Sequence, residues 1–186
     1  MSAPGTYRTS DGSAIQFSAA VEKWAEAAHE GLIETARSYK RVITYKHLAE
    51  LAQERSGIRT NMLMMHWIGQ VLEGVAIESS RRNEPMLTAL CVHHDGTIGD
   101  GYAKAVRIHH QEPDADLESQ AAVARLDCYR RYATDLPTNG GNAFLTPQVA
   151  ARRAVARTRT QPPTEASLCP TCRMELPVTR RCDQCD

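Results

Sequence analysis

Apolar residues recur along this chain mostly at helical spacing. Phe17, Val21, Trp24 and Ala28 share one face and predict an amphipathic helix that runs to about Gly31 and resumes through Leu32 and Ala36. Thr44 precedes Tyr45-Lys-His-Leu-Ala-Glu-Leu-Ala, where its hydroxyl can accept from a free first-turn amide, so a second helix is predicted over 45–55. Thr60 or Asn61 can cap a third, with Met62, Met65, Ile68 and Leu72 on one face. Residues 86–92 form an apolar run followed by Asp95-Gly96, a turn pair because both central positions of a tight hairpin need positive φ, which predicts a hairpin over about 86–108. Leu117, Ala121, Ala124, Cys128 and Tyr132 mark another helix, ended by Leu136-Pro-Thr-Asn-Gly-Gly. Thr146-Pro147 opens a last one over 147–158, since proline at the first helical position lacks only an amide hydrogen that has no partner there anyway.

Helix, helix, hairpin is the element order of a winged-helix unit, with the hairpin as the wing. The expected fold class is α+β: a helix-rich winged-helix-like domain with a β-hairpin, followed by a small zinc-ribbon-like module. The expected organisation is a flexible arm over 1–13, the main domain over 14–135, a basic helix and linker over 136–167 and the module over 168–186. Gln161-Pro-Pro-Thr-Glu-Ala-Ser reads as the spacer within that linker.

Composition narrows the partners. The 186 residues carry 22 Lys and Arg against 22 Asp and Glu, so no global field draws the chain to nucleic acid or to an anionic membrane, and any such contact must be local. Aromatic residues are only 5%, so the core is expected to rest on aliphatic side chains. No stretch approaches the roughly 18 apolar residues of a membrane span, and the first residues lack a signal-peptide pattern. A cytoplasmic protein without membrane contact is expected.

Four of the six cysteines form two C-x-x-C pairs, Cys169-Pro-Thr-Cys172 and Cys182-Asp-Gln-Cys185, separated by nine residues that can form a minimal hairpin. Each such turn can aim two sulfurs at one ion while its amides offset their charge, and zinc takes four thiolates tetrahedrally. One structural Zn2+ held by Cys169, Cys172, Cys182 and Cys185 is the reading, with a reduced tail, a redox pair or a rubredoxin-type iron site as alternatives. Arg173, Arg180 and Arg181 lie close in sequence and can offset the negative charge. Cys91 and Cys128 fall inside apolar patterns and are expected to be buried and inert.

The segment 41–52, Arg-Val-Ile-Thr-Tyr-Lys-His-Leu-Ala-Glu-Leu-Ala, resembles the start of the DNA-binding helix-turn-helix of the alkylguanine-DNA alkyltransferases and their alkyltransferase-like relatives. Trp67-Ile-Gly-Gln-Val-Leu resembles their second helix, 86–93 their active-site strand and 95–102 their glycine-rich return, about a third of the chain in all. A domain of this type with a C-terminal cysteine ribbon is also similar to proteins of actinobacteria and their phages. The resemblance implies that Tyr45 presses on the phosphate of an extruded nucleotide and that His66 stands where the family carries an arginine wedge. It also puts Thr88 in the place of the alkyl-accepting cysteine. The chain has no Pro-Cys-His-Arg motif, and about seven extra residues around 54–61 separate the two helices.

The expectation is therefore a non-catalytic DNA-binding protein. Tyr45, Lys46, Arg59, Asn61 and His66 are its candidate contacts on the main domain, and Arg152, Arg153 and Arg157, with Arg159 beyond, on the basic helix. Arg125, Arg130 and Arg131 precede them and extend a possible basic stripe, whose phosphate contacts would give affinity without sequence information. A protein-interaction module, docking through the ribbon or through Met62, Met64 and Met65, is the alternative. The pairs His93-His94 and His109-His110 flank the expected hairpin and are weak metal candidates, and neither a phosphate-binding glycine loop nor a nucleophile elbow supports an enzyme.

Overall fold

The computed structural model of the chain describes residues 5–160, Cys169, residues 171–174, Cys182 and Cys185. Two compact units divide it, Met1–Val149 and Ala150–Asp186. The first is an α+β unit centred on α1 (Phe17–Ala36), one continuous helix in which Ala20, Trp24, Ala28, Leu32 and Ala36 are fully buried. Helix α2 (Tyr45–Ser56) and helix α3 (Ile68–Arg81) pack on α1, as does α5 (Leu117–Tyr132).

Two aromatic rings lock these helices together. Trp24 and Trp67 lie 4.5 Å apart at 38°, and Phe17 meets Trp24 edge-on at 6.2 Å. Trp24 Nε1 donates to Ile58 O at 3.0 Å, so burying the indole leaves its polar group satisfied. The core rests mainly on aliphatic side chains, as expected, with Leu32, Leu48, Leu87, Leu90, Val71 and Val75 fully buried around Trp24, Trp67 and Tyr129.

Helix α2 begins where the sequence predicts. Thr44 Oγ1 accepts from His47 N at 3.3 Å, and the helix ends at Gly57 with φ 65°. The extra residues that follow are structural: β3 (Ile58–Thr60) pairs antiparallel with β1 (Thr6–Arg8), in register Thr6 with Thr60 and Arg8 with Ile58. Residues 5–13, expected as a flexible arm, are thereby hydrogen-bonded to the unit, Thr9 N donating to Gly57 O at 2.8 Å and Asn61 N to Gly5 O at 2.9 Å.

Two expectations fail in shape. Thr60 and Asn61 do not open a helix; residues 64–66 form a single 3-10 turn (Met64–His66), and α3 starts only at Ile68. Met62 and Met65 are accordingly exposed, while Ile68 is buried and Leu72 half-buried. Nor is there a hairpin over 86–108. Residues 87–90 form a 3-10 turn (Leu87–Leu90), and β4 (Cys91–Val92) pairs parallel with β2 (Ile43–Thr44), Ile43 beside Cys91 and Thr44 beside Val92. The Asp95-Gly96 turn is real, with His93 N donating to Thr97 O at 2.7 Å, but the chain then enters α4 (Tyr102–Ile108). Tyr102, Ala105 and Val106 are buried there, so a helical stripe wins over strand return.

Helix α5 is capped by Asp116, whose Oδ1 accepts from Ser119 N at 3.1 Å. Residues 136–146 pack back onto the first unit: Tyr39 Oη donates to Asn142 O at 3.0 Å, Phe144 stacks on Tyr129 at 6.0 Å, and Thr146 Oγ1 donates to Gly96 O at 2.7 Å. Helix α6 (Pro147–Thr160) follows and runs into the second unit.

Arg125 cannot belong to a basic stripe. It is 0% exposed, donates to Ala89 O at 3.2 Å and Phe144 O at 3.4 Å, and lies over the Phe144 ring. Its job is to satisfy carbonyls inside the unit.

Replacing Trp24 by Phe removes the donor to Ile58 O and leaves a void beside Trp67. Loss of a buried hydrogen bond together with lost packing should lower the unfolding free energy by about 2–4 kcal/mol, seen as a reduced urea midpoint at unchanged slope. A loss below about 1 kcal/mol would show that the indole does not anchor α1 to β3.

Candidate functional site

The parallel pair β2–β4 sets the site. It ends at Thr44, so the first residue of α2, Tyr45, emerges beside the residue that follows β4, His93. Their rings stack at 4.7 Å and 24°. They form part of the lining of a pocket of about 650 Å³, to which the 64–66 turn, the start of α3, Thr88 of the 87–90 turn, the 98–101 loop and α4 contribute the rest.

Tyr45, His66, Thr88, His93, Gly99 and Tyr102 supply its polar and aromatic lining. Met64, Met65, Ile68, Leu72, Ile98 and Ile108 supply the apolar walls. On two of its elements, Lys104 Nζ and Glu73 Oε2 form an ion pair at 2.7 Å. The loop is held from behind, because Ile98 N donates to Glu118 Oε1 of α5 at 2.8 Å.

Gly99 is required by contact. A Cβ there would overlap the Tyr45 hydroxyl and the ring carbon that bears it. Burial raises the Tyr45 phenol above its ordinary value, with Cys91 and Asp100 adding to the rise, so it stays protonated and can donate.

Thr88 is 5% exposed and its Oγ1 has no hydrogen-bond partner. Tyr102 is 4% exposed and its hydroxyl is also unpartnered. Burial raises the Tyr102 phenol as well, while the nearby Arg125 charge acts in the opposite direction.

The structure therefore brings Tyr45, His66 and Thr88 to one pocket, although they come from three different elements. The other candidate contacts do not line it. Lys46 is exposed on the first turn of α2, with Glu50 Oε1 3.9 Å away. Arg59 is exposed in the middle of β3 opposite Tyr7, and Asn61 is exposed just beyond that strand. Arg152, Arg153 and Arg157 lie on α6 in the second unit, Arg153 half-buried and the other two exposed; Arg159's side chain lies outside the described residues.

Sequence reasoning missed Ile98, Tyr102, Ala105 and Ile108 as pocket residues. The i, i+3 and i+6 spacing of Tyr102, Ala105 and Ile108 after Gly101 carried the signal for three of them, but the hairpin assignment hid it.

Cys91 and Cys128 are fully buried, and burial raises both thiols, so neither is a ready nucleophile. His109 Nε2 lies 3.1 Å from Ser79 Oγ, and His93 is engaged with Tyr45. Among the described residues, the histidine pairs join no group of three or more metal-ligating side chains.

One such group does form in the second unit. The Sγ atoms of Cys169, Cys172, Cys182 and Cys185 all lie within 4.8 Å of one another, with Cys169 and Cys182 buried and Cys172 and Cys185 exposed. Tetrahedral tetrathiolate coordination, with metal–sulfur bonds of about 2.3 Å, needs sulfurs gathered on this scale. The cluster is thus able to hold a metal ion. The first turn is built for it: Arg173 takes φ 58°, Arg173 N donates to Cys169 O at 2.9 Å, and Cys169 N donates to Met174 O at 2.8 Å. The amides of Cys172 and Thr171 bring the Cys169 thiol down to about 6. Cys185 is pushed up to about 12, chiefly by its hydrogen bond with Cys172. The expected hairpin between the pairs, with Arg180 and Arg181, lies outside the described residues.

Comparison with protein families, curated proteins and solved structures returned no match.

Two outcomes follow from this geometry. Gly99→Ala should displace the Tyr45 ring from His93, read as loss of mutual ring-current shifts in proton NMR; unchanged shifts would show that the contact has room to spare. The full chain should carry one metal equivalent, released by a mercurial thiol reagent, and Cys182→Ser should lower metal retention at least tenfold while leaving the Trp24 and Trp67 fluorescence of the first unit unaltered. Full retention by that variant would separate the metal from these cysteines.

Proposed function

We propose that this chain is a non-catalytic DNA-binding protein that docks the pocket-bearing face of its first unit on DNA. The observation that carries the reading is the convergence of Tyr45, His66 and Thr88 on one pocket, the three positions that the alkyltransferase-like resemblance singles out. A threonine in place of the acceptor cysteine, and a Cys91 that is buried with a suppressed thiol, leave no nucleophile for alkyl transfer.

In this reading α2 and α3 act as the helix-turn-helix of a winged-helix-like unit whose wing is not the 86–108 segment. The neutral Tyr45 phenol donates to a backbone phosphate beside the exposed Lys46, and Arg59 adds a further cation. The outward side of α3 carries Gly69 and Gln70 at its start rather than a row of cations, so docking is centred on the pocket mouth and not on a groove-reading helix. Arg152, Arg153 and Arg157 of the second unit extend the phosphate contact.

The cysteine cluster in this reading holds zinc as a ribbon-like structural centre, because four thiolates and no open ligand position suit a d10 ion without redox chemistry. Elemental analysis of the purified chain should find zinc in preference to iron.

A second reading has one observation in its favour. Met62, Leu63 and Met65 are 43%, 66% and 75% exposed on a single short segment, an apolar patch of the kind that partners cover. Met64, expected among them, is half-buried and lines the pocket, as the exposed Met65 also does.

Fluorescence anisotropy with a short duplex decides between the two. Binding should weaken with salt at a log–log slope of roughly −3 to −5, as three to five phosphate contacts require, and Lys46→Ala and Arg59→Ala should each shallow that slope by about one. Absence of binding at low salt, together with a host protein whose capture is abolished by Leu63→Asp, would replace the DNA reading with the interaction reading.

A further inference from the structure

Of the chain's four lysines, Lys23, Lys46 and Lys104 each have a carboxylate partner, at 2.8, 3.9 and 2.7 Å. Lys40 does not. It lies over two aromatic rings instead, 5.3 Å from the centre of Tyr39 and 5.7 Å from that of Phe144, an arrangement that holds the ammonium without neutralising it. Arg37 and Arg41 flank it in the turn between α1 and β2, and all three side chains are exposed. Glu34, whose carboxyl both arginines help to lower, is already held by two hydrogen bonds from Arg55 at 2.9 and 2.5 Å. Asp135 faces the backbone, accepting from Tyr39 N at 2.6 Å. Counting Arg55, four cations meet these two acids, so the turn stays positive.

The turn is also firmly built. Thr134 N donates to Arg37 O at 3.0 Å, Tyr129 Oη to Arg41 O at 2.7 Å and Tyr39 Oη to Asn142 O at 3.0 Å. A side chain at Gly141 would collide with the Tyr39 ring. Lys40 itself takes φ 65°, a left-handed backbone that glycine adopts freely and lysine does not. Backbone geometry alone favours glycine there, so what the lysine contributes lies in its side chain.

The kind of partner follows from the absence of an apolar anchor. No large apolar side chain is exposed on the turn or on residues 134–144 beside it, so a protein partner lacks the buried anchors that dominate protein interfaces. Phosphodiester contacts need only accessible positive charge. We infer that the 37–41 turn is a second DNA surface, separate from the pocket, that contacts backbone phosphates through Arg37, Lys40 and Arg41.

This surface rests on the DNA reading above and adds a place on the duplex to it. Arg41 and Tyr45 are four residues apart along the chain, so their Cα atoms are separated by at most about 14 Å. At 3.4 Å per base pair this spans about four base pairs. DNA docked at the pocket mouth reaches the turn once it extends that far, and the contacts there add to those counted on a short duplex.

The test uses the full chain and a duplex of about 25 base pairs, which passes the turn in either direction. Fluorescence anisotropy over a salt series compares the unaltered chain with a triple variant, Arg37→Gln, Lys40→Gly and Arg41→Gln. The log–log slope should be shallower by about two to three in the variant, because each phosphate contact contributes about 0.9. Lys40→Gly alone should shallow it by about one with the thermal midpoint close to that of the unaltered chain, a result that a purely structural lysine would not give. Circular dichroism verifies that both variants fold. In isotope-edited NMR of the unaltered chain, the same duplex should move the Lys40, Arg41 and Gly141 amides.

A folded triple variant with an unchanged slope overturns the inference, and the DNA reading survives if Lys46→Ala still shallows that slope. Failure of the unaltered chain to bind the duplex even at low salt overturns both. Poly-glutamate that moves the three amides when the duplex leaves them in place assigns the turn to an acidic protein and likewise overturns the inference.

Discussion

Two residues of parallel strand pairing organise the first unit. Ile43 and Thr44 lie against Cys91 and Val92, and everything chemically interesting begins where those strands stop. Parallel pairs need a long crossover and cover on their faces, which is why Cys91 and Val92 are both buried and why α2, β3 and α3 all intervene between the two strands. The pairing hands Thr44 directly to the cap of α2 and brings Tyr45 against His93. A slip of one residue would turn Tyr45 away from the pocket and expose the wrong face of β4. The register therefore serves the site as much as the sheet.

The core makes that register affordable to so short a strand pair. Trp24 and Trp67 fix α1 against the start of α3, while the indole of Trp24 reaches across to Ile58 and so ties down β3, the segment that looks like an insertion between the two helices. On the other side, Arg125 feeds hydrogen bonds to Ala89 and Phe144, one in the turn that carries Thr88 and the other in the segment that returns from α5. Desolvation lowers the pKa of this guanidinium, a sign of how completely it is enclosed. The pocket is what remains open between elements that are otherwise fastened at their backs.

How much of this was legible follows from what each stretch of sequence has to say about itself. Helices α1, α2 and α5 are legible because their apolar spacing and burial agree, and the largely exposed α6 because Thr146-Pro147 marks its start. The α+β class was readable for the same reason. The 62–67 stretch misleads because Met62, Met65 and Ile68 satisfy helical spacing, yet β1 holds the chain extended up to Thr60, so the chain turns once as a 3-10 element before α3 can start. The 86–108 stretch misleads differently: Asp95-Gly96 makes its turn, but pairing goes to the distant β2 rather than to the next segment. A partner 48 residues upstream, Ile43 for Cys91, leaves no local trace for pattern reading to find. Tyr45, His66 and Thr88 could be singled out from the sequence, but the orphaned hydroxyls could not, since an absent partner is a property of the packed chain alone.

The cysteine cluster poses a different physical problem, because its second unit is too small to gain much from apolar burial. Its four sulfurs converge regardless, and the chain's own means of holding negative charge there are uneven. Amides from Cys172 and Thr171 lower Cys169 to about 6, whereas the hydrogen bond with Cys172, together with burial, drives Cys185 up to about 12. Backbone donors thus favour the thiolate at Cys169 but not at Cys185. A cation held by all four sulfurs would remove that asymmetry, and because an unfolded chain offers no such gathered set, its binding energy would become folding energy for the unit. The cluster is able to meet metal, fold and charge balance together, because the spacing of its two C-x-x-C pairs is fixed in the sequence.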